Sequence, residues 1–167
     1  LATTPTTVDA AGTLGGSGTL GGSTIVNGTL APGASGVGTL TINATTTLAP
    51  GSTIAWELAD WTGTNDKLVV GSLNVTATSA SRCTIRITEQ TLANFTEASA
   101  TFVLVQTTSG ITNFSADKFT VDTTGLTTPQ GTWEVQQSAN NLMLVYTVIS
   151  SDANGNGIID TWETEHF

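Results

Sequence analysis

Gly-Thr-Leu recurs at Gly12, Gly18, Gly28 and Gly38, and Leu30-Ala31-Pro32-Gly33 returns eighteen residues on as Leu48-Ala49-Pro50-Gly51. A unit this short supplies one β-strand and one turn, and such a strand cannot bury its apolar face alone. Pro-Gly provides a fixed φ followed by the positive φ of a tight type II corner. Short strands turning at regular spacing become stable when successive coils stack and share their inward side chains. Leu40 and Ile42, then Ile54, Trp56 and Leu58, alternate with polar residues. That alternation argues for strands over a Gly/Thr-rich linker.

From Asp66 onward the strands lengthen. Leu68 with Val70, Leu73 with Val75, and Phe102 with Leu104 read as inward pairs. Trp133 and Val135, the turn chemistry of Ala139-Asn140-Asn141, and then Leu142, Leu144 and Tyr146 predict a terminal hairpin that caps the stack. Residues 90–100 are expected as a loop, although Leu92, Phe95 and Thr96 sit at helical spacing. The expected organisation is a linker or extended arm over residues 1–11 and a β-solenoid domain over 12–148. A Ca²⁺-binding loop and the start of a helix occupy 149–167.

The run Asn27-Gly28-Thr29-Leu30-Ala31-Pro32-Gly33, with Gly38-Thr39-Leu40-Thr41-Ile42 and Gly51-Ser52-Thr53-Ile54, resembles the autotransporter-associated β-strand repeat. Asp66-Lys67-Leu68-Val69-Val70 and the stretch from Gly131 to Tyr146 look like the segment that often follows it. The resemblance covers residues 12 to 148. It implies an all-β fold, a right-handed parallel β-helix, on a bacterial surface or secreted protein. The family pattern brings no catalytic residues.

Composition narrows the function classes. Only 10% of the 167 residues are charged, against roughly 25% in ordinary soluble domains. The polar surface comes largely from 35 threonines, whose branched side chains suit a pleated, half-exposed sheet. A net charge of −9 with four basic residues argues against nucleic acid and against anionic membrane surfaces. The longest apolar run, Leu142 to Tyr146, is far short of a bilayer-crossing helix. Such a surface fits a secreted or cell-surface location. The chain begins at Leu1 without a Met or a signal-peptide pattern, as expected of a piece of something longer. Five Asn-x-Ser/Thr sequons, at Asn27, Asn43, Asn74, Asn94 and Asn113, mark surface polarity.

Catalytic constellations are sparse. His166 is the single histidine and lacks evident Ser and Asp partners for a triad. Cys83 alternates with Ile85 and Ile87 and reads as a buried core residue. Glu57, Asp60 and Asp66 could serve glycosidase or lyase chemistry as a carboxylate pair, but their spacing alone brings no two of them together. The chain is therefore expected to be no enzyme. It is read as an extracellular structural or adhesive surface protein, an adhesin or self-assembling fibre subunit whose strand edges add end to end. Surface glycan or matrix is the other expected partner. The alternatives are a carbohydrate-binding module of a larger secreted enzyme and a polysaccharide-cleaving β-helix. For sugar stacking the candidates are Trp56, Trp61, Trp133 and Tyr146. Trp61, in Asp60-Trp61-Thr62-Gly63, is the one expected to be exposed.

The sharpest local motif runs from Asp152 to Glu163. Read as a twelve-residue Ca²⁺ loop, Asp152, Asn154, Asn156, Asp160 and Glu163 supply oxygen side chains at positions 1, 3, 5, 9 and 12. Gly157 falls at the sharp turn of position 6, and Ile158 offers its backbone carbonyl at position 7. A hard cation takes six to eight oxygens, and this spacing wraps them around one point. Three carboxylates repel one another until a divalent charge offsets them. With a strand upstream, the unit resembles the dockerin-like or thrombospondin-type-3-like loops of extracellular bacterial proteins. Ca²⁺ is therefore the expected cofactor, folding and orienting the C-terminal segment. Calorimetric titration should give saturable Ca²⁺ binding with a Kd on the order of 10⁻⁴–10⁻³ M, abolished by Asp152→Ala; no heat at millimolar Ca²⁺ removes the site.

Overall fold

The computed structural model describes residues 3–96, 98–129, 131–148 and His166. These residues are all-β and form two sheets of mainly parallel strands. One sheet, B, is ordered β12 (Phe119–Gly125), β9 (Cys83–Ala93), β7 (Thr53–Asp60), β5 (Thr29–Pro32) and β2 (Thr13–Gly16). Every pairing in it is parallel. Sheet A runs β1 (Thr6–Val8), β4 (Thr24–Val26), β6 (Thr39–Leu48), β8 (Lys67–Val75), β10 (Ala100–Thr107), β14 (Asn141–Thr147) and β13 (Thr132–Ser138). Two short strands join it, β3 (Thr19–Leu20) on β6 and β11 (Ile111–Thr112) on β8. As far as β12 the chain alternates between the sheets, and its returns land beside an earlier strand with the same direction.

Alternation of side chains explains why these segments are strands. In sheet B, Leu14, Leu30, Ile54, Ile85 and Val121 are register partners in one inward row. The three central members are completely buried. One position earlier, Thr13, Thr29, Thr53, Thr84 and Thr120 form the matching outward row. Sheet A has its own inward row of Val8, Val26, Leu48 and Val75. A second row there joins Leu40, Leu68 and Val105. Together these rows form one continuous core.

The repeat has a geometric meaning that its ten-residue spacing does not announce. Gly-Thr-Leu at Gly12 and Gly28 lies in sheet B, with Thr13 opposite Thr29, whereas the copies at Gly18 and Gly38 lie in sheet A. The two Leu-Ala-Pro-Gly copies end strands of different sheets, β5 and β6. Both glycines take the positive φ expected of the corner, +75° at Gly33 and +78° at Gly51. At Gly33 an added Cβ would sit 1.8 Å from the Gly36 carbonyl oxygen, so no other residue fits. Gly71 answers a different need. The register between strands β6 and β8 shifts between Ile42 and Thr45. A Cβ on Gly71 would lie 2.6 Å from the Asn43 carbonyl oxygen at that shift.

Register partners in sheet B grow farther apart along the chain. Thr13 pairs with Thr29, 16 residues on, and Thr53 with Thr84, 31 residues on. Most of the additional residues lie in longer strands, with 8 in β7 and 9 in β8 against 4 in β2, and the rest in connections, where insertions cost little. The stretch expected as an arm contributes β1, which pairs in parallel with β4. The expected hairpin is present at the end of sheet A, with Trp133 opposite Tyr146 and Val135 opposite Leu144, and Ala139 in the left-handed region at its turn. The loop expected over 90–100 is shorter than that. Strand β9 continues to Ala93 because its far end pairs with β7, Asp60 opposite Ala93. Replacing Ile54 by Ala should cost about 2–5 kcal/mol, and replacing Leu14, at the half-buried end of the same row, should cost less. Thermal melts of the two variants check this.

Candidate functional site

The connection from β7 to β8, residues 61–66, carries two of the side chains that sequence singles out, Trp61 and Asp66. Asp66 is 1% exposed. Its Oδ1 accepts the Gly38 backbone N–H at 2.8 Å and its Oδ2 the Glu57 N–H at 3.0 Å. Its backbone carbonyl accepts the Trp56 indole N–H. One residue thus fastens the start of β6 and the middle of β7 to the start of β8. Burial pushes the Asp66 carboxyl up, the two N–H bonds oppose the rise, and the nearby Glu57 charge adds to it, leaving it at about 6.

Of the three candidate carboxylates, the structure brings Glu57 and Asp66 together and keeps Asp60 apart. The connection doubles back so that Asp66 meets the middle of β7, its N–H donating to the Glu57 carbonyl at 3.2 Å, which is how residues nine apart come to meet. Both Asp66 oxygens are committed to backbone N–H groups, an anchoring arrangement. Asp60 is anchored as well. Its carboxylate accepts both oxygens' worth of hydrogen bonds from the Asn94 amide, each 3.1 Å, and one from the Thr62 N–H at 2.9 Å. The Asn94 amide first, then the Thr62 N–H, hold its pKa below the ordinary carboxylate value. Asn65 closes the connection: its Oδ1 accepts the N–H groups of Ala59 and Asp60, and its amide donates to the Asp60 carbonyl.

Trp61 is not the exposed platform its turn-like neighbours suggest. It is 5% exposed and is surrounded edge-on by Phe95, Phe102, Trp133 and Tyr146, with ring centroids 4.9–6.2 Å apart. Edge-to-face packing of this kind adds to the stabilisation from burial alone. Trp56 and Tyr146 are buried too, and the Tyr146 hydroxyl accepts the Gly131 N–H at 2.8 Å. Trp133 is half-buried and stacks on Phe102 at 5.8 Å. Their partners lie 34 to 85 residues from Trp61 along the chain, so no local signal announces the cluster. Above it opens a cleft of about 490 Å³, rimmed by Thr39, Thr62, Asn65, Lys67 and Thr101.

Cys83 is fully buried, as its alternation with Ile85 and Ile87 predicts. Burial pushes the thiol up to about 11, with the Ser52 hydroxyl lowering it slightly, so it is no thiolate nucleophile near neutrality. His166 is exposed. The six proposed Ca²⁺ ligands, Asp152, Asn154, Asn156, Ile158, Asp160 and Glu163, lie outside the described residues. Among the described residues no group of three or more His, Cys, Asp or Glu side chains is placed to hold a metal ion. Nor is any helix there long and apolar enough to cross a membrane. No protein-family model matches the chain, and no curated protein matches it in sequence.

The Asp66 anchor has a testable pH signature. Its folded value of about 6 lies above the ordinary 3.8, so the folded protein holds this proton more tightly than the unfolded chain. Its contribution to stability is therefore full below pH 4 and is lost as the pH rises through 6. Between pH 8 and pH 5 the wild type should gain about 1 kcal/mol from this group. Asp66→Asn should show no corresponding gain, as read from denaturant melts at both pH values.

Proposed function

We propose that this chain is an extracellular structural or adhesive surface protein whose working part is a parallel β-solenoid scaffold. The observation that carries the reading is the pair of rows in sheet B. Five aliphatics face inward and five threonines face outward, in register over five parallel strands. Such rows make each coil depend on its neighbours and leave a long hydroxyl-bearing face, the logic of a scaffold. Alternation between two sheets, with each strand returning beside an earlier one, supports a β-helical path. A right-handed course is the one that crossovers between parallel strands overwhelmingly follow. Asp66, Asp60 and the Trp61 ring are engaged with backbone N–H groups, the Asn94 amide and neighbouring rings, which favours a scaffold over an enzyme.

The Asp152–Glu163 loop completes this reading as a Ca²⁺ site that fixes the C-terminal segment, in a secreted or cell-surface setting. A second reading, a carbohydrate-binding module of a larger secreted enzyme, is favoured by one feature. The cleft beside the connection has a hydroxyl, amide and ammonium rim from Thr62, Asn65 and Lys67, polar groups suited to sugar hydroxyls. Sedimentation and electron microscopy discriminate the two, with Ca²⁺ or a chelator. The scaffold reading expects concentration-dependent assemblies that added salt promotes, since screening relieves repulsion between chains of net charge −9. A monomer at every concentration that binds a glycan array, and loses that binding in Lys67→Ala, supports the module instead.

A further inference from the structure

The two ends of the stack differ. At the far end the chain covers its own edge: sheet A runs on past β10 through β14 to β13, and β12 and β13 line a common gap of about 320 Å³. At the near end β1 and β2 are each paired on one side only among the described residues. A tight turn separates them, closed by the Gly12 N–H on the Asp9 carbonyl at 2.7 Å. Leu14 on β2 is only partly covered, whereas its register partner Leu30 is fully buried.

Backbone direction shows what this near edge offers. The Thr6 N–H donates to the Ser23 carbonyl and the Val8 carbonyl accepts the Asn27 N–H, each at 2.8 Å, so both residues are turned toward β4. Thr7, between them, presents its N–H and carbonyl to the open side. On β2 the Gly12 and Gly16 carbonyls accept the Thr29 and Gly33 N–H groups at 2.9 and 3.1 Å. By the same alternation Thr13 and Gly15 face the open side. Side chains alternate in step, with Val8 and Leu14 inward and Thr7 and Gly15 outward.

These edges complement one another in a second copy of the chain. A two-fold axis through the turn lays β1 of one copy antiparallel on β2 of the other, and β2 on β1 at the same time. With Thr7 opposite Gly15, the two residues with free backbone groups form a hydrogen-bonded pair and exchange both bonds. That register also sets Val8 opposite Leu14, inward on inward, and brings Ala11 of each copy to the axis. Charge favours this end as well. Strands β1 and β2 carry no charged side chain, the usual guard against edge pairing. Asp9 is the one charged residue before Glu57, and twelve acidic and four basic residues follow from there on. Meeting by this end keeps the charged parts of two copies apart.

We propose that two copies of this chain join by their β1–β2 ends, each β1 antiparallel to the β2 of the other, with Thr7 against Gly15 and Val8 against Leu14. The contact is isologous, so it closes on itself and gives a dimer instead of a filament. The inference rests on the scaffold reading for its shared inward rows and adds the strands, the register and the number of copies.

Sedimentation and amide hydrogen exchange on the full chain test it together. A monomer–dimer equilibrium is expected. The Thr7 and Gly15 amides should slow about tenfold once about nine-tenths of the chains are paired, since only the unpaired tenth exchanges. The Thr6 amide, already bonded to Ser23, should change less. Ala11→Cys, at an exposed corner on the axis, should link to itself under mild oxidation at least about tenfold faster than Thr120→Cys at the far end, the advantage of a bound geometry over random encounter. Cys83 is buried and does not compete. Leu14→Lys should abolish the dimer. Ala11→Asp, which leaves the core untouched, should weaken it up to about fivefold at low salt by setting like charges face to face. Dimers whose Thr7 and Gly15 amides stay free, or larger assemblies that link Thr120→Cys as fast, overturn the inference and leave the scaffold reading standing. A monomer whose Thr7 and Gly15 amides are protected overturns it in favour of an edge covered by the chain's own residues. A monomer with those amides free overturns it too, and the scaffold reading falls with it only if that monomer binds a glycan array through Lys67.

Discussion

Every inward aliphatic in this protein is half of a contact whose other half belongs to the next strand over. Ile54 is dry because Leu30 lies on one side of it and Ile85 on the other, in parallel strands of the same sheet. The same holds for Leu48 between Val26 and Val75 in sheet A. Removing one strand would expose its neighbours' rows on both faces, so stability accrues strand by strand along the stack. This dependence also explains the gradient of burial at the ends. Leu14 and Val121 belong to the same row as residues with no exposure at all, and among the described residues their strands are paired on one side only.

A row of aliphatics fixes the spacing between strands but not the angle at which one sheet meets the other. That task falls to polar groups at the corners. Asp66 joins three strands through two backbone N–H groups and one indole N–H. Asn65 and Asn94 then fold the same connection onto Asp60. Glu89 does similar work farther along, its carboxylate accepting the N–H groups of Thr127 at 2.8 Å and Thr128 at 2.9 Å. These carboxylates are held by neutral donors, backbone N–H groups together with the Asn94 amide and threonine hydroxyls, where a flexible lysine or arginine would fix direction less well. Few basic residues are therefore needed, which reconciles thirteen acidic side chains with four basic ones.

Alternation made the strands and the inward sets legible in the sequence. Leu40, Ile42, Ile54, Trp56, Leu68, Val70, Leu142 and Leu144 are buried as their period of two predicts. The assignment of strands to sheets was not legible. Gly-Thr-Leu copies ten residues apart look equivalent, yet they land on different sheets because ten residues span one strand and one corner, at which the chain changes sheet. Trp61 was misread for a related reason. Asp60-Trp61-Thr62-Gly63 has the chemistry of an exposed turn, and nothing nearby tells of Phe102, Trp133 and Tyr146 closing over the ring. The meeting of Glu57 with Asp66 was not legible. Spacing brings no two of the carboxylates together, and only the path of the connection, which carries Asp66 back onto the middle of β7, does so.

The exposed surface follows from the same economy. A threonine row needs no ion pairs to be wetted, and its methyl groups still cover the sheet beneath. Its weakness is the edge, where uncharged strands offer unpaired backbone to any chain that can match them. Proteins commonly guard such edges with local charge, and here the β13 and β12 side has it in Glu134 and Asp122 while the β2 side does not. Protection against indiscriminate pairing then rests on net charge, a long-range term that acts between whole chains and weakens as salt shortens its reach. An edge guarded by net charge alone responds to its ionic surroundings, whereas one guarded by a bulge or a proline does not.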